Sequence, residues 1–228
     1  MEKTKTLFRR STRARLADLR GSLHRLTGLV SGAGVNIGRL ETLSWDDSDG
    51  YSPSMGGADT SNSQGRIRRA TVADAAEILA IYAPIVESSA VSFELEPPGI
   101  EEFADRMTTV MQDNPWLVME HEGLIIGYAY ATVFRSRPAY SHTRESSVYV
   151  HPGHHRKGVG RELMLALLEE LSGRGAHRVV AGATLPNRGS AALHESLGFR
   201  YVGTFHEVGR KFDRWHDVGF WELSFDDR

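Results

Sequence analysis

The chain of 228 residues contains no cysteine. That excludes disulfides, thiolate-bound zinc and any mechanism that parks an acyl group on a protein thiol. Long apolar runs are also missing. The longest, LIIGYAYATVF from Leu124 to Phe134, falls well short of the ~20 residues a bilayer-spanning helix needs. A formal net charge of -2 gives no global reason to expect a nucleic acid or a membrane surface as partner, so recognition of an anion must be local. The chain is 40% hydrophobic, enough for a packed core, yet long apolar side chains are scarce over residues 1–65, where Ser, Gly, Asp and Arg abound.

Those first residues fall into two parts. Residues 1–40 carry nine Lys or Arg against Glu2 and Asp18. Leu16, Leu19, Leu23 and Leu26 make a short amphipathic stretch. The charge resembles that of an organellar transit peptide, but no secretory core of about 7–15 apolar residues follows. DDSDGYSPSMGGADTSNSQG, residues 46–65, has the low complexity of a linker. The expectation is a disordered extension over residues 1–65 and one domain over residues 66–228.

From Ile67 the pattern becomes regular. IRRAT predicts a strand, and Asp74 is placed to cap a helix through Ala76, Ile78, Leu79 and Ile81. A second helix runs from about Ile100 to Met111, with Phe103, Met107, Val110 and Met111 on its apolar face. WLVMEHEGLIIGYAYATVF predicts a hairpin turning at Glu122-Gly123. SSVYV, a helix from Gly160 to about Gly173, the strand HRVVAGAT, the helix ALHESLGF and the strands YVGTFHEV and HDVGFWELSF complete the chain. The order β-α-α-β-β-β-α-β-α-β-β implies a single α/β domain, with a mixed sheet of about seven strands flanked by about four helices.

Between SSVYV and its helix lies a Pro-Gly break, then His154, His155, Arg156 and Lys157, then Gly158 and Gly160. Glycine at both positions lets a ligand approach the unpaired N–H groups of the helix N-terminus, where the dipole and the nearby cations favour an anion. The turn is neither a P-loop, since Arg161-Glu162 follows the second glycine, nor a dinucleotide fingerprint, since no third glycine follows Gly160. Alone, a glycine turn before a helix is ordinary.

With that order established, SSVYVHPGHHRKGVGRELM resembles the acetyl-CoA motif of the GNAT superfamily of N-acetyltransferases, R/Q-x-x-G-x-G/A. His155 stands where the family prefers Arg or Gln. IRRAT, SSAVSFE, NPWLV, RPAYSHTRESSVYV, TLPN, ALHESLGF and VGRKFDRWHDVGFW are similar to the phosphinothricin and methionine sulfone acetyltransferase subfamily. The resemblance implies a cytoplasmic, dimeric enzyme that moves acetyl from acetyl-CoA, without a metal, to the α-amine of a small molecule such as phosphinothricin, methionine sulfone or methionine sulfoximine. Nucleic acid and membrane are not expected partners. Trp215 and Trp221 are candidate dimer contacts.

The same resemblance assigns roles. Backbone groups of Val148, Tyr149 and Val150 would hold the acetyl and pantetheine amides. Arg156, Lys157, Gly158, Val159, Gly160 and Arg161 would hold the pyrophosphate, and Asn187, with Ser190 nearby, the pantetheine arm. Glu145 would be the general base, for which partial burial and a raised pKa are suited; its bland alternative is a strand-end glutamate paired with Arg144 or Arg135. His194 would give a proton to the departing thiolate, although a histidine on an apolar helix is more often simply packed. Arg135 and Arg137 would grip acidic groups of the substrate, with Tyr140, Phe93, Ser146 and Ser147 lining its site. His142, His151, His154, His155 and Glu145 could be drawn as a metal site, but their spacing does not require any three to converge. Two other readings stay open: an N-terminal peptide acetyltransferase, and a non-catalytic acyl-CoA sensor with the basic first residues as a binding arm.

Overall fold

The computed structural model describes residues 65–225. The expectations for a basic segment and a linker over residues 1–64 lie outside the described residues. Seven strands, β1 (Arg66–Arg69), β2 (Trp116–His121), β3 (Leu124–Val133), β4 (Thr143–Val150), β5 (Arg178–Thr184), β6 (Arg200–Lys211) and β7 (Arg214–Ser224), form one sheet in the order β1-β2-β3-β4-β5-β7-β6. Every neighbouring pair is antiparallel except β4 and β5. Four helices cover it: α1 (Ala75–Ser88), α2 (Ile100–Asp113), α3 (Val159–Gly173) and α4 (Arg188–Ser196).

Each face of the sheet buries its own core. On one, Ile78, Ile81, Tyr82 and Val86 of α1 and Phe103 and Met107 of α2 pack over Trp116, Val118 and Tyr128. The other holds α3, whose Leu163, Leu167 and Leu171 are buried against Ala129, Ala131, Val179 and Ala181. Removing each such leucine from water stabilises the fold by about 1.5–3 kcal/mol. That anchorage fixes the N-terminus of α3 beside the end of β4.

Three details differ from the sequence expectation. Asp74 makes no side-chain cap on α1. Its carboxylate instead takes the Thr71 N–H (2.7 Å) and both guanidinium arms of Arg68 (2.8 Å each), because a cation within reach outcompetes a helix amide. The final hairpin is longer than predicted and turns at Phe212-Asp213, both at positive φ. Trp221 is buried in the α3-side core rather than exposed as a dimer contact, whereas Trp215 is exposed.

Candidate active site

The sheet opens between its two parallel strands. β4 and β5 pair only from Thr143↔Arg178 to Glu145↔Val180, with one further link from Ser146 Oγ to the Val180 carbonyl at 3.4 Å. Beyond that point residues 146–150 keep their partners on β3 and residues 181–184 theirs on β7, but the two strands no longer meet. Glu145 sits at the apex of the opening.

Strand alternation sorts the residues around it. Thr132↔Glu145, Tyr130↔Ser147 and Tyr128↔Tyr149 are cross-strand neighbours on the α1–α2 face. Ser146, Val148 and Val150 turn to the α3 face, so the structure brings Ser147 to Glu145 and takes Ser146 away from it. The His151 N–H donates to Ile126 on β3. The carbonyl of Val150, across that trans peptide, must then point into the opening, as must the backbone of Val148 two residues earlier. Tyr149 differs: its backbone faces β3, and its ring packs with Tyr82 and Tyr128.

At the mouth of the opening stands the glycine turn. Arg156 (φ 60°) and Gly158 (φ 87°) take left-handed conformations, which cost a residue with a Cβ about 1–2 kcal/mol. The Gly158 carbonyl accepts from Arg161 (2.9 Å) and Glu162 (3.0 Å). The amides of Val159 and Gly160 therefore precede the first intrahelical donor, that of Arg161, and remain available to a ligand. Arg156 and Lys157 are exposed beside them. A Cβ on Gly160 would lie 3.5 Å from Val150 and 3.6 Å from Leu193, so turn, strand and α4 converge there. His155 Nε2 lies 2.8 Å from the Val150 carbonyl, on the side that faces the opening.

On the α1–α2 face a cleft of about 730 Å³ is floored by Tyr82, Phe103, Trp116, Tyr128 and Tyr130, with Glu94, Arg106 and Thr132 at its sides. Trp116 stacks on Tyr130 at 4.3 Å. Burial raises the pKa of Tyr82 to about 12 and those of Tyr128 and Tyr130 above their ordinary value, so all three keep their hydroxyl protons. Sequence reasoning missed this cleft. The alternation of tyrosines in YAYAT was the available signal.

Glu145 is half-buried and makes no hydrogen bond among the described residues. Burial pushes its carboxyl pKa up, and the charge of Arg135 offsets part of that rise. Pairing with Arg144 does not occur: that guanidinium donates to the Ser141 (2.6 Å) and Thr143 (3.2 Å) carbonyls. Arg135 donates to the Phe134 carbonyl (2.9 Å) and lies over the Phe134 ring (4.3 Å), while Tyr140 meets the same ring edge-on. Arg137 is exposed without a partner among the described residues. Phe93 comes from the α1–α2 loop and rests on the β6–β7 hairpin.

Asn187 precedes α4, where its side-chain oxygen accepts from the Ser190 amide at 3.0 Å. Its amide N–H groups stay available as donors. The His194 ring is buried, edge-on to Phe199 and stacked on Trp221. Burial lowers its pKa, and Ser190 Oγ lies 3.3 Å from its Nδ1. Of the four histidines considered as metal ligands, only His151 and His154 come together, with His121 as the third ring; His155 is on Val150 and His142 is near the Gly175 carbonyl.

An opened parallel pair above an amide-rich helix start can hold an extended, phosphate-bearing ligand, and the acetyltransferase (GNAT) domain family matches residues 67–219. The chain belongs to that family. A phosphinothricin N-acetyltransferase of Streptomyces viridochromogenes is 42% identical over 160 residues, covering 70% of this chain and 87% of that protein. An L-methionine sulfoximine/L-methionine sulfone acetyltransferase of Pseudomonas aeruginosa is 36% identical, covering 70% and 94%. The solved structure of a phosphinothricin acetyltransferase from Sinorhizobium meliloti in complex with AcCoA superposes with a TM-score of 0.69 at 34% identity, covering 71% of this chain and 88% of that one.

Proposed function

We propose that this chain moves acetyl from acetyl-CoA directly to the α-amine of a small amino-acid-like acceptor such as phosphinothricin, methionine sulfone or methionine sulfoximine. The observation that carries the reading is the unpaired stretch of β4 and β5 with an unbonded carboxylate at its apex. Acetyl-CoA supplies the activated acyl group. The free amides of Val159 and Gly160, with Arg156, Lys157 and Arg161, would take its pyrophosphate. Val148 and the N–H of Val150, whose carbonyl already has His155 as a neighbour, would pair with the pantetheine arm as a neighbouring strand does, Asn187 would donate to it, and a backbone N–H in the opening would stabilise charge on the thioester oxygen.

Glu145 accepts a proton from the acceptor's ammonium on this reading. Arg135 and Arg137 face acidic or oxidised groups of the acceptor, with Tyr140, Ser147 and Phe93 around them. For His194, a lowered pKa and a ring packed on both sides favour a brace for Ser190 and Asn187 over a proton donor. The setting is the cytoplasm. The molecule works as a homodimer joined through the β6–β7 hairpin, where Phe205, Phe212 and Trp215 stand exposed.

The test is release of free CoA thiol by the full chain with acetyl-CoA and a panel of amines. Methionine sulfone or phosphinothricin should be acetylated, and Glu145→Gln should lower kcat by about 10²-fold or more. Unchanged turnover in that variant sinks the base assignment. Activity on peptides with none on free amino acids would move the reading to an N-terminal acetyltransferase.

A further inference from the structure

A buried cation far from Glu145 in sequence bears on how the acceptor is held. Lys211, the last residue of β6, is only 3% exposed. Its Nζ donates to the carbonyls of Val86 (2.5 Å) and Ser92 (2.9 Å) and meets no carboxylate among the described residues. An ammonium taken out of water is costly unless its hydrogen bonds are replaced, and here they are replaced by the end of α1 and the loop after it. That loop, residues 89–99, carries Phe93 and Glu94.

Other contacts tie the same loop down. Thr184 Oγ1 on β5 donates to the Ala90 carbonyl at 2.6 Å, and Tyr82 Oη lies 2.7 Å from Ser92 Oγ. Gly209 of β6 is flush against the Phe93 ring: a Cβ there would sit 2.3 Å from it. Helix α1 packs over β2 and β3, while Thr184, Gly209 and Lys211 belong to strands beyond the opening. Residues 89–94 therefore strap one half of the sheet to the other, across the place where β4 and β5 part.

We propose that Lys211 is a positioning residue for the acceptor, acting with Gly209 through this strap to fix Phe93 and Glu94 at the substrate side of the opening. The proposal rests on the acetyl-transfer reading above. Neither residue approaches the glycine turn, so the donor side should not feel their loss.

Steady-state kinetics of the full chain separate the possibilities. Lys211→Met should raise KM for methionine sulfone about 10-fold or more while KM for acetyl-CoA stays within about twofold. Gly209→Ala keeps Lys211 but must displace Phe93, and should show the same split. If Lys211→Met fails to fold, Gly209→Ala decides. An unchanged KM for the amine, or an equal rise in both KM values, in a folded variant overturns the proposal. If the unmodified chain acetylates no amine, the acetyl-transfer reading fails, and hydrogen exchange judges the strap alone: faster exchange over residues 89–95 in either variant supports it, and unchanged exchange overturns it.

Discussion

Glu145 has a backbone held on both sides, by Thr132 and Val180, and a carboxylate that no described residue holds. A free carboxylate in a partly dry site is a stronger base than one in water, because its charged form lacks solvation. Only the deprotonated form can take a proton, so kcat should rise with pH through a value above the ordinary carboxylate range. Arg135 works in the opposite sense by favouring the charge. Arg135→Ala should therefore move that inflection to higher pH, and Glu145→Gln should abolish it; pH profiles of kcat over about pH 4.5–8 read both. An inflection that moves down in Arg135→Ala would show that the two charges do not couple.

At the scale of elements, the turn before α3 contains two glycines with different duties. Gly158 is needed for its φ of 87°, whereas Gly160 has room for a methyl group at ordinary contact distance from Val150 and Leu193. Gly158→Ala should cost about 1 kcal/mol or more in urea unfolding and raise KM for acetyl-CoA. Gly160→Ala should leave stability unchanged or slightly higher, as alanine favours a helix, and move that KM about twofold at most. Equal losses in both would assign the turn's glycines a shared conformational role. This turn was legible in the sequence because its chemistry is local: strand, break, cations, glycines and helix follow one another within twenty-odd residues. The cleft was not. Tyr82, Trp116, Tyr128 and Tyr149 meet only through strand register and helix packing, and Lys211 finds its carbonyl partners 119 and 125 residues away. Ser146 and Ser147 show the limit most directly, since adjacent letters end on opposite faces of the sheet.

For the whole molecule, the far edge of the sheet is conspicuous. β6 pairs only with β7, and Tyr201, Val202, Phe205, Val208, Phe212 and Trp215 on this hairpin are each more than half exposed. Clustered apolar surface of this kind supports the proposed dimer contact. Sedimentation velocity of the unmodified chain should give a dimer, and the pair Phe205→Glu with Trp215→Glu should give a folded monomer. A monomer without the substitutions would leave the hairpin as a support for Phe93 alone.

The opening between β4 and β5 has a consequence for how such a protein changes over evolutionary time. Its walls are main chain, bounded by hydrogen bonds that only a proline substitution would remove, whereas the proposed acceptor side is made of side chains on loops and strand ends. Point mutation can redraw the second while leaving the first intact. A lineage built on this plan is free to exchange one amine for another while keeping one acyl donor.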